Sequence, residues 1–137
     1  MKKVAKVFLG GTCNGSKWRE ELIPQLTIEY FNPQLPVGAW NEKAAAEELK
    51  QREECDYCLY VITPKITGFY SIAEVIDDSH KRPEKTLFAF GAEEDDQLFD
   101  AAQIKSLKAV AAMVEVNGGK TFSCLTDIAE FLNNTRK

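Results

Sequence analysis

Carboxylates are the side chains of this sequence best suited to acid–base or nucleophilic chemistry. The chain contains a single histidine, His80, which is expected at a helix end and on the surface, so a Ser-His or Cys-His system is not indicated. Pairs of carboxylates suit cleavage at an acetal-like carbon, where the transition state resembles an oxocarbenium ion. One acid then attacks or stabilises the carbon, while another group handles the proton.

Glu74 is the acid whose surroundings point most clearly to such chemistry. An apolar run over residues 57–63, rich in aromatic and β-branched side chains, predicts a buried strand that Pro64 ends. A short loop containing Gly68 follows, and a helix is expected to begin at Ser71. Glu74 would then lie in the first turn of that helix, just past the carboxyl end of a strand, where open α/β sheets bind their ligands.

A purely structural role for Glu74 is the alternative. Residues 71–74, SIAE, fit a capping box, in which the acid reaches back to the backbone amide of the N-cap residue. Considered by spacing alone, the capping box is the more common situation. The glycine and two aromatic residues at 68–70 favour a pocket instead, because such a loop can hold a flat ligand against the strand end.

The cysteines give no sign of a metal or redox centre. They are Cys13, Cys55, Cys58 and Cys124. The C-x-x-C pair at 55–58 is expected between a helix end and a strand start, whereas a redox pair needs its first thiol near a helix N-terminus. A zinc site would need two more ligands at matched spacing. We therefore predict free thiols in a reducing compartment, with no metal and no cofactor.

The composition is that of a globular protein with one domain, residues 1–137. Hydrophobic residues make up 45% and charged residues 28% of the chain, and the net charge is −4. The absence of a basic run argues against duplex nucleic acid as a partner. No apolar stretch approaches the roughly 18 residues of a membrane span, and no signal-peptide cleavage site is apparent. We therefore expect a cytoplasmic protein with neither nucleic acid nor membrane as a partner.

The alternation of elements predicts an α/β fold. Strands are expected over residues 4–9, 27–31, 57–63 and 85–90, and helices after an N-cap at Ser16 and over 41–54, 71–81, 98–116 and 125–134. This order predicts a parallel sheet covered on both faces. The expected architecture is a flavodoxin-like three-layer sandwich with a four- or five-stranded parallel sheet, in the order 2-1-3-4.

Three loops would meet at one edge of this sheet, formed by residues 10–16, 32–40 and 64–70. The first is glycine-rich, so its backbone can approach a ligand closely, although it is neither a P-loop nor a G-x-G-x-x-G motif. Trp40, in the second, either anchors its loop to the core or forms an aromatic wall of a pocket. The convergence of the three loops predicts a pocket at this edge.

Three segments resemble the nucleoside 2-deoxyribosyltransferase-like family. They are Val7-Phe8-Leu9-Gly10-Gly11 at the first strand, Tyr30-Phe31-Asn32-Pro33 at the second, and residues 56–75, which contain DYCLYVI and GFYSIAEV. The segment from Asp56 to Glu74 is the most specific of the three. The resemblance extends over residues 4 to 135 and implies the same flavodoxin-like fold.

The resemblance also implies roles for individual residues. Glu74 matches a nucleophile that forms a covalent deoxyribosyl intermediate, and Glu48 matches an acid, aspartate in the family, that handles the proton of the base. Phe8 replaces a tyrosine, and Gly68 replaces an aspartate that binds sugar hydroxyls. Ser16 and the first loop match the 5′-phosphate site of related nucleotide N-glycosidases. The substrate contacts implied in this way, or by the convergence of the loops, are Phe8, Gly10, Gly11, Thr12, Ser16, Asn32, Trp40, Gly68, Tyr70 and Ser71.

The function implied is cleavage of the N-glycosidic bond of a small-molecule nucleoside or nucleotide, in nucleotide metabolism. The enzyme would be either a glycosyltransferase that passes the deoxyribosyl group to another base or a hydrolase that passes it to water. Homo-oligomers are also implied, because a neighbouring chain closes the pocket in the family. The alternative is a non-enzymatic nucleotide- or ADP-ribose-binding module on the same fold, which the residues at positions 8 and 68 favour.

Overall fold

A computed structural model of the protein describes residues 4–34 and 41–135. Its strands are β1 (Lys6–Gly11), β2 (Glu29–Phe31), β3 (Tyr57–Ile62), β4 (Thr86–Phe90), β5 (Glu93–Glu94), β6 (Gln97–Leu98) and β7 (Lys120–Phe122). Five of them form a parallel sheet in the order β2-β1-β3-β4-β7, while β5 and β6 form a small antiparallel hairpin. The predicted order of the first four strands is confirmed.

Five helices cover this sheet. They are α1 (Trp18–Leu22), α2 (Glu42–Glu54), α3 (Tyr70–Lys81), α4 (Ala101–Asn117) and α5 (Leu125–Asn133). Two single 3₁₀ turns, Ile23–Gln25 and Pro83–Lys85, lie after α1 and before β4. The layout is the α/β arrangement expected of a flavodoxin-like fold. Among the described helices, none combines the length and apolar character needed to cross a membrane.

Successive residues of the central strands face opposite sides of the sheet, as the pleat requires. On β1, Val7 and Leu9 pack with residues of α1 and α5, whereas Phe8 packs with residues of α3 and α4. The central strands are therefore apolar almost throughout, because both of their faces are buried. The sheet is a rigid base from which the loops at its carboxyl edge project.

The observed helix starts agree with the predicted ones at some positions and differ at others. Asn41 caps α2 as predicted, with its side-chain oxygen 2.8 Å from the Ala44 amide nitrogen. Ser16 does not cap α1, which begins after Lys17 and has no side-chain cap. Its hydroxyl is instead hydrogen-bonded to two side chains, as described below. The helix after β3 begins at Tyr70 rather than at Ser71.

One strand of the sheet is absent from the sequence-based element order. The three residues of β7 follow Gly118 and Gly119, where the sequence indicated only a break between two helices. Gly118 ends α4 in the left-handed conformation, with φ of 107°, and the chain then turns to pair with β4. The sheet therefore has five strands, the upper of the two numbers predicted.

The four cysteines are free thiols, as predicted, with Cys55 and Cys58 buried and Cys13 and Cys124 exposed. Burial is the main cause that raises the pKa of Cys55 to about 11 and that of Cys58 to about 12, so both stay protonated. Within residues 4–34 and 41–135, no cluster of three or more histidine, cysteine or acidic side chains is arranged to hold a metal ion. His80 is exposed, as expected.

Candidate active site

A cavity of about 260 Å³ opens at the carboxyl edge of the sheet, where the chain order reverses around β1. It lies between the end of β1, the loop after β2, and helices α2 and α3. Its lining residues are Gly10, Gly11, Cys13, Arg19, Pro33, Gln34, Glu48, Tyr70, Ser71 and Glu74. The three loops predicted to converge thus contribute to one cavity, together with an acid from each of two helices.

The two glycines at the end of β1 are required by close packing. A Cβ atom on Gly10 would lie 2.6 Å from the ring of Tyr60, and one on Gly11 would lie 2.1 Å from the carbonyl oxygen of Val61. Gly11 also has φ of 119°, which side chains of L-residues rarely adopt. Any larger residue at either position would move the strand end that forms the base of the cavity.

Glu74 lies in the cavity wall, with 7% of its surface exposed. It is the fifth residue of α3, because the helix begins at Tyr70 and Phe69 occupies the N-cap position. The capping-box prediction is therefore wrong, as is the placement of Glu74 in the first turn. The helix has no side-chain cap, which leaves the Glu74 carboxyl group available to the cavity.

Glu48 lines the same cavity from α2, and the two carboxyl groups lie close enough for each to shift the pKa of the other. The negative charge of Glu48 disfavours ionisation of Glu74, so the pair holds one proton more tightly than an isolated glutamate would. The charged groups around the pair are Arg52 from α2, Arg19 from α1 and Asp78 from α3. The pair thus combines two oxygen nucleophiles with one exchangeable proton.

The protonation of the pair follows from its surroundings. Burial, and after it the charge of Glu48, raises the pKa of Glu74 to about 7, while Arg52 acts in the opposite direction. Burial also raises the pKa of Glu48. Because the two groups interact strongly, they titrate as one unit. The pair consequently holds a proton in the pH range near neutrality, where an isolated glutamate would be ionised.

Arg52 links this pair to a buried network beneath it. Its Nη1 atom is 3.6 Å from Oε2 of Glu74, and its Nε and Nη2 atoms are 3.3 and 2.9 Å from the two carboxylate oxygens of Asp78. Asp78 also accepts hydrogen bonds from Tyr60 on β3 and from Arg82. Burial alone would lower the pKa of Arg52, but the hydrogen bond and the negative charges around it raise the value overall.

Arg19 forms the cationic part of the cavity wall and is 2% exposed. Its guanidinium group donates hydrogen bonds to the carbonyl oxygens of Leu9 and Thr12, at distances of 2.7 to 3.1 Å. Among the described residues it forms no salt bridge with a carboxylate. Its main structural effect is to fix the carbonyl groups at the end of β1, which keeps the base of the cavity in place.

Comparison of the sequence with models of protein families shows the family of this chain. A family model described as nucleoside 2-deoxyribosyltransferase like matches residues 4–82, which is more than half of the chain. This chain belongs to that family. The match ends after α3, so residues beyond 82 lie outside it, although the resemblance was expected to extend to residue 135. Neither the curated proteins nor the solved structures gave a match.

Membership of the nucleoside 2-deoxyribosyltransferase-like family supports deoxyribosyl transfer as the general function and a nucleoside as the general substrate class. The matched segment contains β1, β2, β3 and helices α1 to α3. It therefore contains every residue that lines the cavity around Glu48 and Glu74.

The structure brings only some of the predicted site residues of this deoxyribosyltransferase-like chain to the cavity. Those lining it are Gly10, Gly11, Glu48, Tyr70, Ser71 and Glu74. Asn32 and Gly68 are exposed outside it, and Phe8 is fully buried against Phe31, with ring centroids 5.9 Å apart. Trp40 lies outside the described residues.

Ser16 and Thr12 have internal partners rather than open hydrogen-bonding positions. The Ser16 hydroxyl donates to the Glu94 carboxylate at 2.7 Å and is hydrogen-bonded to Thr63 at 3.1 Å. The Thr12 hydroxyl accepts a hydrogen bond from the Thr63 amide at 2.9 Å. Both residues are buried and join the loop after β1 to the end of β3.

Four charged residues in or near the site were not predicted from the sequence: Arg19, Arg52, Asp78 and Glu94. Charged residues usually face solvent, and nothing in the sequence marks Arg19 or Glu94 as an exception. A usable signal existed for the other two: Arg52 follows Glu48, and Asp78 follows Glu74, by four residues on their helices. That spacing places each charged residue on the same helix face as a candidate catalytic acid.

Proposed function

We propose that this protein cleaves the N-glycosidic bond of 2-deoxynucleosides through a covalent intermediate on Glu74. The observation that carries the proposal is the Glu48–Glu74 pair, two acids of raised pKa that line one cavity at the switch point of the sheet. A nucleophile and a proton donor side by side are what a double displacement at an anomeric carbon requires.

The first step transfers the deoxyribosyl group to the enzyme. An oxygen of the ionised Glu74 carboxylate attacks C1′ of the sugar and forms a C–O bond. The bond from C1′ to the base nitrogen breaks, and its electron pair leaves with the base. Glu48 gives its proton to that nitrogen. The coupling of the two acids supports this role, because neighbouring carboxyl groups allow the proton of the pair to pass from Glu74 to Glu48 before the attack.

The second step releases the sugar. A nitrogen of an acceptor base, or the oxygen of water, attacks C1′ from the face that the first base left. The C1′–O bond to Glu74 breaks, and Glu48 takes the proton of the incoming nucleophile. Two inversions give overall retention at C1′. The same site performs transfer or hydrolysis, depending on whether a base or water occupies the leaving-group position.

Contacts to the sugar are proposed for Tyr70 and Ser71. Both residues line the cavity at the start of α3, one helical turn before Glu74, and both carry hydroxyl groups. They are the nearest replacement for a sugar-binding acid at position 68, where this chain has an exposed glycine. Their hydroxyl groups are neutral, so they do not add negative charge beside the acid pair.

Unphosphorylated nucleosides are the proposed substrates. The Ser16 hydroxyl and the Lys17 amide, which belong to the loop expected to bind a 5′-phosphate, each lie 2.7 Å from an oxygen of the Glu94 carboxylate. Burial opposes ionisation of Glu94, but hydrogen bonds from Thr63, Lys17 and Ser16 lower its pKa. An ionised carboxylate at this position repels a phosphate.

A homo-oligomer is proposed as the working form. Phe69 is 75% exposed beside Tyr70 and lines an apolar groove of about 360 Å³ between α3 and α4. The other apolar residues of this groove include Ile66, Ile72, Phe99 and Val110. A second copy of the chain seated on the groove would lie next to Tyr70 and so cover the open side of the cavity.

The experiment that tests the function is a substrate panel. The protein is incubated with each deoxynucleoside and each 5′-monophosphate, with and without a free acceptor base, and released or exchanged base is quantified by chromatography. Exchange indicates a transferase, and release without acceptor indicates a hydrolase. Ligand binding with no cleavage of any panel member would contradict the proposal and favour the nucleotide- or ADP-ribose-binding module. In that case binding would also survive the substitution Glu74→Gln.

A further inference from the structure

Arg52 occupies an unusual position for a charged residue of a surface helix. It lies near the end of α2 with 4% of its surface exposed, while the residues that follow it, Glu53 and Glu54, are exposed. Burying a guanidinium group without partners is costly, so its contacts must compensate for the loss of water. Some of those contacts hold the guanidinium group in place, and one faces the cavity.

One side of the guanidinium group anchors it. The Nε and Nη2 atoms form a fork on the carboxylate of Asp78, and Nη2 also lies 3.1 Å from Oδ2 of Asp77. Asp78 is fully buried and accepts the hydroxyl hydrogen of Tyr60, a residue of the central strand β3. The fork geometry restricts the guanidinium plane, which a single contact would not do.

The other side of the group faces the cavity. Its remaining terminal nitrogen, Nη1, lies 3.6 Å from Oε2 of Glu74. Among the described residues, Arg52 is the only cation within 4.0 Å of the Glu74 carboxylate. The positive charge therefore lies at one fixed point beside this carboxylate, while Glu48 faces it from elsewhere on α2.

We propose that Arg52 is a positioning residue for Glu74, which fixes the carboxylate that attacks the sugar and favours its ionised form when the proton of the pair passes to Glu48. This rests on the function proposed above and deepens it. An ion pair to one member of an acid pair favours ionisation of that member. It also restrains the carboxylate orientation, and misplacement of a reacting group by about 1 Å can cost about 100-fold in rate.

Arg82 provides a matched control for this role. Its Nη2 atom binds the same oxygen of Asp78, Oδ1, at 2.6 Å, compared with 2.9 Å for Nη2 of Arg52. It forms no salt bridge with Glu74 among the described residues. Removing either arginine takes one cation from Asp78, but only the loss of Arg52 takes the cation from Glu74. The comparison separates a role in the fold from a role at the carboxyl pair.

The test uses Arg52→Met, Arg52→Lys and Arg82→Met, each checked by circular dichroism. Two measurements are made on every variant: the pH profile of base exchange, and the titration of the Glu74 side-chain carboxyl by ¹³C NMR, which needs no activity. We expect Arg52→Met to raise the Glu74 midpoint by about 1–2 pH units and to lower kcat about 100-fold. Arg52→Lys should restore most of the midpoint but less of kcat, and Arg82→Met should change neither.

The two readouts also separate this inference from the proposed function. If Arg52→Met and Arg82→Met move the Glu74 midpoint equally, or if neither moves it, Arg52 is only a structural residue and the inference is wrong. If wild type exchanges no base while Arg52→Met still shifts the Glu74 midpoint, the effect of Arg52 on Glu74 is supported and the proposed deoxyribosyl transfer is contradicted. Should Arg52→Met prove unfolded, Arg52→Lys decides, since an unchanged pH profile and kcat would overturn the proposal.

Discussion

Glu48 on α2 and Glu74 on α3 line one cavity and shift each other's pKa, although the strand β3 lies between their helices in the chain. The contact depends on how the two helices pack against each other. Arg52 and Asp78, each four residues after one of these acids, join the helices by a buried fork. This ion pair therefore holds the two helices together one turn away from the acids.

Removal of the Glu74 carboxylate separates catalysis from structure. We expect Glu74→Ala to fold and to lose activity by several orders of magnitude, because a nucleophile cannot be replaced by binding alone. Wild type, denatured during turnover and analysed by mass spectrometry, should carry a deoxyribosyl adduct on Glu74. An active, folded Glu74→Ala variant would show that another group attacks the sugar.

The first four strands of the sheet were predictable because each is defined by a short sequence pattern of its own. Apolar runs such as Tyr57–Ile62 and breaks such as Pro64 define the strands, and the alternation with helices defines the order. The short strand β7 was not predictable, since three residues after two glycines are too few to show a hydrophobic periodicity. The burial of Arg52 was not predictable either, because it depends on Asp78, which is distant in the chain.

The same distinction applies to the site. Position after a strand end predicted Glu74 as a site residue, and the resemblance predicted Glu48, but the coupling of their pKa values arises only from helix packing. The failed capping box illustrates the limit of spacing arguments. Residues 71–74 have the right residue types, yet the N-cap position lies two residues earlier, at Phe69 rather than at Ser71.

Glu74 should make folding stability depend on pH. Its pKa is raised to about 7 in the folded protein from an ordinary value of 4.5, so the folded state binds the proton more tightly than the unfolded state. The stability associated with that proton is complete below about pH 4.5 and is lost as pH rises through about 7. Glu74→Gln should therefore be more stable than wild type at pH 8, by up to about 3 kcal/mol, and similar at pH 4.

Urea unfolding at both pH values measures this difference. The control is Glu53→Gln, which removes an exposed acid of α2 that takes no part in the cavity. It should change stability by the same small amount at pH 4 and pH 8. A Glu74→Gln variant that is less stable than wild type at pH 8 would mean that the pairing of Glu74 with Arg52 outweighs burial and repulsion.

Activity should fall on the alkaline side of neutrality. The pair must keep one proton for the departing base, and this proton is lost as pH rises through the pKa of about 7. We expect kcat/KM for base exchange to decrease about tenfold per pH unit well above that value, since each unit removes nine-tenths of the remaining protonated pair. Initial rates at low substrate between pH 5.5 and 9.5 provide the measurement. A profile that stays flat to pH 9 would exclude the shared proton as the one delivered to the base.

The groove beside Phe69 should mediate assembly. We expect wild type to be at least a dimer by light scattering at micromolar concentration, and Phe69→Asp to shift it toward monomer, because a charge in an apolar interface must be desolvated. Leu49→Asp, which changes an exposed apolar residue of α2, is the control and should keep the wild-type mass. Equal dissociation of both variants, or a monomeric wild type, would contradict the assignment of the interface to this groove.

Glu94 should connect the hairpin β5–β6 to the loop after β1. Its carboxylate accepts hydrogen bonds of 2.7 Å from both the Ser16 hydroxyl and the Lys17 amide, and its lowered pKa means that the folded state favours the ionised form. The stability from this ionised form is present above the ordinary pKa of 4.5 and is lost as pH falls through the folded value. We expect Glu94→Gln to lower the free energy of unfolding at pH 7 by about 1–2 kcal/mol, because its hydrogen bonds lose the extra strength that a charged acceptor gives.

The substrate panel gives Glu94 a second test. If its charge excludes phosphate, Glu94→Gln should raise kcat/KM for deoxynucleoside monophosphates relative to deoxynucleosides, because the repulsion is removed while Ser16 and the Lys17 amide remain. Asp96→Asn, at the exposed turn of the same hairpin, removes an equal charge without touching either group and serves as the control. A wild type that prefers monophosphates, or a preference that Glu94→Gln and Asp96→Asn alter equally, would refute local exclusion by Glu94, because the effect would then come from net charge or from phosphate binding elsewhere.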